Sequence, residues 1–143
     1  MAEINRIYSG TDIIRISRIK KLLAEDYTSS NSFVAKCFTE REAEYCFSKK
    51  SENAQAESFA ARYAGKEAAS KALGTGIFTQ GIRLTDFEII NDDKGCPNLI
   101  LHGKAERTAK EKGIESTSIS LSHDGDYAIA YCCMISGADE EEQ

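Results

Sequence analysis

Two carboxylates far apart in the chain are its best candidates for chemistry: Asp12, in Gly10-Thr11-Asp12-Ile13, and Glu67, in Arg62-Tyr63-Ala64-Gly65-Lys66-Glu67-Ala68-Ala69-Ser70-Lys71. Carboxylate oxygens are the ligands a hard divalent cation takes. Glu67 also stands among Arg62, Lys66 and Lys71, and a glycine-rich exit, Gly74-Thr75-Gly76, follows. These residues fall within about four helical turns. A helix of small residues does not need that much charge to fold, so the pattern suits a polyanion and suggests metal-assisted phosphate chemistry. Glu67 and Lys71, spaced i,i+4, share a face with Tyr63 one turn earlier and Gly74 one turn later.

Each residue also has an ordinary explanation. Glu67 and Lys71 can form an exposed ion pair worth a few tenths of a kcal/mol. Asp12 can cap a helix beginning at Ile13 or Ile14, since aspartate is a preferred N-cap. Gly74-Thr75-Gly76 is at least a helix C-cap and tight turn; its glycines would also let backbone amides approach a phosphate or a planar ring. It is not a Walker loop, because the Lys-Ser/Thr ending and the spacing are missing. His123 can be a turn residue bonded to backbone, and His102 in Leu101-His102-Gly103 has no polar companions and reads as structural. No serine lies in a G-x-S-x-G elbow, which disfavours a serine hydrolase.

The 143 residues carry a formal net charge of -5, which suits one domain with a proper core and argues against a nucleic-acid binder, whose phosphate contacts need a basic face. No apolar run approaches the length of a membrane span, and Met-Ala-Glu-Ile-Asn lacks the basic start and apolar middle of a signal peptide, so a cytoplasmic protein is expected. Cys37, Cys46, Cys96, Cys132 and Cys133 have no C-x-x-C spacing and are read as reduced and buried. The acidic end, Asp139-Glu140-Glu141-Glu142, reads as a disordered solvating tail, with residues 1–136 as one domain and 137–143 outside it.

The elements that must position these groups alternate between strands and helices. Ile4 to Ile13 reads as a strand running into a helix over Ile14 to Leu23, with Ile16, Ile19 and Leu23 on one face and Arg15, Arg18 and Lys21 turned away from it. Tyr27 to Asn31 reads as a loop, and Thr39-Glu40-Arg41-Glu42 as a capping box opening a helix over Glu40 to Ser48. A long helix is expected from Asn53 to Leu73, closed by Gly74, with Gly65 inside it marking a close contact. Thr85 to Ile90 and Asn98 to Leu101 read as a hairpin, followed by a polar helix over Lys104 to Lys112. In the last hairpin Ile119 and Leu121 face the core, Ser118, Ser120 and Ser122 face away, and His123 is expected at the Asp124-Gly125 turn beside the serine face. The expected fold class is α+β, an antiparallel sheet packed against one long helix.

In order and spacing, these stretches resemble the holo-acyl-carrier-protein synthases of the 4′-phosphopantetheinyl transferase superfamily from about Ile4 to Met134. Gly10-Thr11-Asp12-Ile13 with the Arg15 to Ile19 segment is similar to the family's first motif, and Phe38-Thr39-Glu40-Arg41-Glu42 to its second. Phe59 to Ile77 is similar to the third, with Gly65 where the family usually has alanine, and Ser120-Leu121-Ser122-His123 with Tyr127-Ala128 to the last.

The resemblance implies transfer of phosphopantetheine from coenzyme A to a serine of an apo-acyl carrier protein of fatty-acid or polyketide synthesis, releasing adenosine 3′,5′-bisphosphate. It makes Asp12 and Glu67 ligands of a magnesium ion that also holds the coenzyme A pyrophosphate. Lys71 would steady that pyrophosphate, with Arg62, Lys66 and His123 as further phosphate contacts and Gly74, Thr75 and Gly76 as a cradle for the nucleotide. The catalytic pair is then Glu67 and Lys71, and the base is Glu67 or a metal-bound water. The resemblance also implies homotrimers with active sites between neighbouring subunits; an acidic carrier then needs a local basic docking face, which Arg15, Arg18 and Lys21 on the helix after Asp12 provide, with Arg18 at the position that matches the family's carrier-gripping arginine. A module that holds coenzyme A or a carrier without transfer is the competing reading, and the presence of Asp12, Glu67 and Lys71 speaks against it.

Overall fold

The computed structural model describes residues 5–25, 32–75 and 81–137. Ile4, the expected loop at Tyr27 to Asn31, Gly76 and the acidic end lie outside them. In chain order come β1 (Arg6–Arg15), α1 (Ile16–Ala24), α2 (Phe33–Cys37), α3 (Glu40–Phe47), α4 (Glu52–Leu73), β2 (Phe87–Asn91), β3 (Pro97–Leu101), α5 (Gly103–Glu111), β4 (Ile114–Asp124) and β5 (Tyr127–Ser136). The α+β expectation holds, but the strands form two antiparallel groups: a sheet ordered β1-β5-β4 and a separate β2-β3 ribbon. One face of the sheet packs on α4, whose run of Ala56, Ala60, Ala64, Ala68 and Ala72 is buried. Small side chains let the helix backbone come close to the strands.

Several local expectations need correction. The first strand continues through Ile14, which is buried and pairs with Ala128, to Arg15, which pairs with Tyr127. Asp12 is therefore in mid-strand and caps nothing, and Arg15 sits at the N-cap position of α1 rather than on its surface. Thr85 and Asp86 belong to a short 3-10 turn before β2. His123 is in β4, opposite Ala128, two residues beyond Leu121 and so on the α4 side of the sheet, away from the serine face. Of the cysteines, all are free as expected, but Cys96 is exposed and Cys133 half-buried.

The capping box forms as read: the Glu42 backbone N–H donates to Thr39 Oγ1 at 3.3 Å and Thr39 N–H returns the bond to Glu42 Oε1 at 3.0 Å. Glu42 is also fully buried. Its Oε1 accepts from Lys66 Nζ at 2.6 Å, and its Oε2 accepts from Ile89 N–H at 2.9 Å. Lys66 Nζ donates further to the carbonyls of Leu84 at 3.2 Å and Phe87 at 2.6 Å, so all three ammonium protons are used inside the protein. This contact ties α3, α4 and β2 together.

A second polar knot lies at the other side of β2. The Glu88 carboxylate, whose side chain is 4% exposed, accepts from Arg41 Nη2 at 2.6 Å and from the Thr39 hydroxyl, and lies 3.0 Å from His102 Nε2. His102 thus has a polar companion that the sequence did not reveal, supplied by the strand paired with its own. Burial alone would raise the Glu88 carboxyl, but the bonds from Arg41, Thr39 and His102 outweigh it and hold the group down at about 2. A depressed native value stabilises the fold above the unfolded value and loses that contribution as pH falls toward 2. Glu88→Gln is expected to cost about 2 kcal/mol at pH 7 and to flatten the loss of stability below about pH 4.5. Urea midpoints measured across that pH range check it.

Candidate active site

Gly10 brings the first carboxylate to the second. A Cβ at this position would overlap the carbonyl oxygen of Ala68 and the backbone nitrogen of Ala72. With hydrogen there, β1 lies directly on the last turns of α4. Gly65 makes a similar approach on the other side of the helix, where a Cβ would stand 2.5 Å from Ile89 Cδ1.

Asp12, two residues after Gly10, shares its inward face and meets the end of α4. Lys71 Nζ lies 3.2 Å from Asp12 Oδ1 and donates to the Thr11 carbonyl at 3.0 Å. The ion pair formed by Lys71 therefore crosses from α4 to β1 rather than running along the helix to Glu67. Glu67 lies one turn earlier on the same face. Burial raises the Glu67 carboxyl above its ordinary value and the Asp12 charge adds to this, while Lys71, Tyr63 and Arg18 oppose the shift. Two carboxylates that repel each other in a half-buried setting form a site that a cation relieves. Among the described residues no group of three or more His, Cys, Asp or Glu could hold a metal. Two carboxylates still suit magnesium, which keeps several waters and binds through one or two carboxylates plus substrate phosphates.

Arg62 and His123 are not part of this constellation. They line a cleft of about 360 Å³ together with Tyr45, Lys49, Ser58 and Asn91. The Arg62 guanidinium is stacked 4.4 Å from the Tyr45 ring centre and donates to Asn91 Oδ1 at 3.1 Å. Its Nε is buried without a partner among the described residues. Lys49 Nζ and Asn91 Nδ2 both donate to the Tyr45 hydroxyl, at 3.0 and 2.9 Å, and the Lys49 bond leads in pushing that phenol below its ordinary value. His123 Nδ1 lies 3.4 Å from Glu57 Oε2. With Lys49 and Arg62 against the single carboxylate of Glu57, and the His123 ring as a further hydrogen-bonding group, the cleft suits an anionic group, and Pro97 and Leu121 in its wall suit a planar ring. Lys49, Tyr45 and Asn91 escaped the sequence reading because no spacing relates them. They meet only after α3 and β2 pack on α4.

The two loci lie on opposite sides of α4. Arg62 is five residues before Glu67, which is a rotation of about 140° around the helix. His123 is on β4 and Asp12 on β1, the two edges of the sheet, separated by β5 and hence by about 10 Å laterally.

Lys66 is a correction. Although adjacent to Glu67, it points roughly a third of a turn away into the core, where its charge is fully buried against Glu42, so it cannot reach a phosphate at the surface. Gly74 closes α4 at φ 83°, and the Lys112 ammonium donates to the Leu73 carbonyl beside it. The C-cap reading of this tripeptide therefore holds, and the Thr75 hydroxyl there is buried without a partner among the described residues. Arg15, Arg18 and Lys21 are all exposed.

Residues 9–132 match the model of the 4′-phosphopantetheinyl transferase superfamily. A holo-[acyl-carrier-protein] synthase of Geotalea daltonii is 43% identical over 122 residues, covering 85% of this chain and 92% of the relative. Among solved structures, a holo-ACP-synthase from Plasmodium yoelii superposes with a TM-score of 0.77 at 27% identity, covering 94% of this chain and 98% of the other. A holo-(acyl-carrier-protein) synthase from Bacillus anthracis, in complex with CoA (3′,5′-ADP), has a TM-score of 0.71 at 32% identity, covering 90% and 96%.

Proposed function

From the premise that the chain belongs to the 4′-phosphopantetheinyl transferase superfamily, we infer that it is a holo-[acyl-carrier-protein] synthase. It transfers 4′-phosphopantetheine from coenzyme A to a serine of apo-acyl carrier protein. The serine oxygen forms a bond to the phosphorus bearing pantetheine, the bond from that phosphorus to the bridging oxygen breaks, and adenosine 3′,5′-bisphosphate leaves. The observation that carries the reading is the pairing of Asp12 and Glu67 beside Lys71 on an exposed edge of α4.

Asp12 and Glu67 are the residues that would hold magnesium. When bound there, the ion offsets charge on the attacked phosphoryl group and on the leaving group. Lys71 presents a half-exposed ammonium to the same pyrophosphate, already oriented by Asp12 and the Thr11 carbonyl. The serine proton goes to Glu67 or to a water beside it; burial, with the Asp12 charge adding to it, raises the Glu67 carboxyl and so favours its taking a proton. Arg62, Lys49 and His123 receive the nucleotide's phosphate.

Because the carboxylate pair and the cationic cleft face opposite sides of α4, one coenzyme A molecule is best held with its pyrophosphate on one subunit and its nucleotide in the cleft of a neighbour. A homotrimer with shared sites meets that need. The outward sheet face supports such assembly: Ile7, Ile13, Ile129 and Tyr131 stand on β1 and β5 at 71%, 61%, 45% and 49% exposure. Among the described residues no helix is long and apolar enough to cross a membrane.

Complementation tests the shared site. Glu67→Gln and the double variant Lys49→Ala with His123→Ala are each expected to be strongly impaired as homomers. Assemblies co-refolded from both should regain activity at interfaces that combine an intact carboxylate pair with an intact cleft. Activity no greater than the sum of the two homomers would place the whole site on one chain.

A further inference from the structure

The helix that begins just after the carboxylate strand lacks a cap of its own. Arg15, at the N-cap position of α1, is extended and makes no side-chain cap bond. The cap arrives from the β4–β5 turn. Asp126 Oδ1 accepts from Ser17 N–H at 2.9 Å, its Oδ2 accepts from the Ser17 hydroxyl at 2.9 Å, and its backbone carbonyl accepts from Ile16 N–H at 2.8 Å. Arg15 completes the clasp, with Nη1 3.9 Å from Asp126 Oδ2 and its guanidinium 5.0 Å from the ring centre of Tyr127. A carboxylate at this point satisfies orphan N–H groups and faces the positive end of the helix dipole. Ile16 and Ile19 anchor the inner face of α1 in the core, and the Asp126 carboxylate holds the outer side of its first turn to the β4–β5 turn.

We propose that Asp126 is a positioning residue for the carrier protein: it fixes the start of α1 so that Arg18 and Lys21 stand at a set place beside Asp12 and Glu67. This rests on the reading of α1 as the carrier-docking helix. The packing of α1 against α4, the helix that carries Glu67, supports the placement. Asp126 touches neither magnesium ligand, and its effect is expected on carrier recognition alone.

Charge and geometry give opposite signs here, which makes the idea testable. Acyl carrier proteins are acidic, so removing a carboxylate next to the docking helix should by charge alone improve attraction and lower the carrier KM. If Asp126 acts by positioning, Asp126→Ala raises the carrier KM about tenfold while the coenzyme A KM stays within about twofold. Asp126→Asn, which keeps a capping oxygen, should raise it less than about threefold. A fall in carrier KM for Asp126→Ala, or an equal rise in both KM values, overturns the proposal. Ser17→Ala removes one of the bonds and no charge, so it serves if Asp126→Ala does not fold; a rise of about threefold is expected, and no change overturns. Arg18→Glu, measured in parallel, separates the two levels. If Arg18→Glu raises the carrier KM and the Asp126 and Ser17 variants do not, the positioning role alone fails. If Arg18→Glu is silent, the docking reading fails and this inference with it.

Discussion

Glu67→Gln is expected to leave the fold intact and to lower phosphopantetheine transfer by two to three orders of magnitude, on the order of 3 to 4 kcal/mol of lost transition-state stabilisation. Glutamine keeps the length of the side chain but gives up the charge that a magnesium ion requires. Because the Glu67 charge is held against both burial and the nearby Asp12, its removal relieves a repulsion. The melting temperature of Glu67→Gln should therefore equal or slightly exceed that of the wild type, while magnesium binding measured calorimetrically in the presence of coenzyme A weakens. Loss of activity with loss of fold would instead make Glu67 a structural residue, and full turnover at limiting magnesium would remove it from the metal site.

The second large effect is on stability. Lys66→Met is expected to cost about 3 to 5 kcal/mol, because it leaves the Glu42 carboxylate buried without its counter-charge and the carbonyls of Leu84 and Phe87 without their donor. A protein of this size has only about 5 to 15 kcal/mol in hand, so the variant should melt many degrees lower or fail to accumulate. Glu42→Gln with Lys66→Met should be less damaging than the sum of the single changes, since each single change strands the other partner. Denaturant midpoints of the four proteins measure the coupling. Additive effects would mean that the two groups do not depend on one another.

The contrast between these neighbours in sequence explains what could be read in advance. Glu67 and Lys71 were legible as a pair because helical periodicity alone places them on one face. α3 begins at Glu40 and α4 ends at Leu73 as expected because the Thr39–Glu42 box and the left-handed Gly74 are local signals, while α3 stops one residue short of Ser48 and α4 starts one residue before Asn53, at Glu52 after the Ser51 cap. Lys66 resembled one more phosphate contact because its partner Glu42 lies 24 residues away and no pattern links the two. The same holds for the true cap of α1, which Asp126 supplies across 109 residues, and for the Tyr45, Lys49 and Asn91 cluster around Arg62. Register had the same limit: β1 runs on through Ile14 and Arg15 because β5 extends to Tyr127, and that partner decides the strand's end. Separation of the carboxylate pair from the cationic cleft appeared only once α4 lay across the sheet.

The most direct test of the account is the mass of the acceptor. Wild-type protein incubated with coenzyme A, magnesium and an apo-acyl carrier protein is predicted to add one phosphopantetheine to each carrier and to release an equal amount of adenosine 3′,5′-bisphosphate. A chelator should stop the gain and excess magnesium restore it, and a carrier whose acceptor serine is replaced by alanine should remain unchanged. Binding of coenzyme A and carrier with no gain in carrier mass would contradict transfer and leave a binding module in its place.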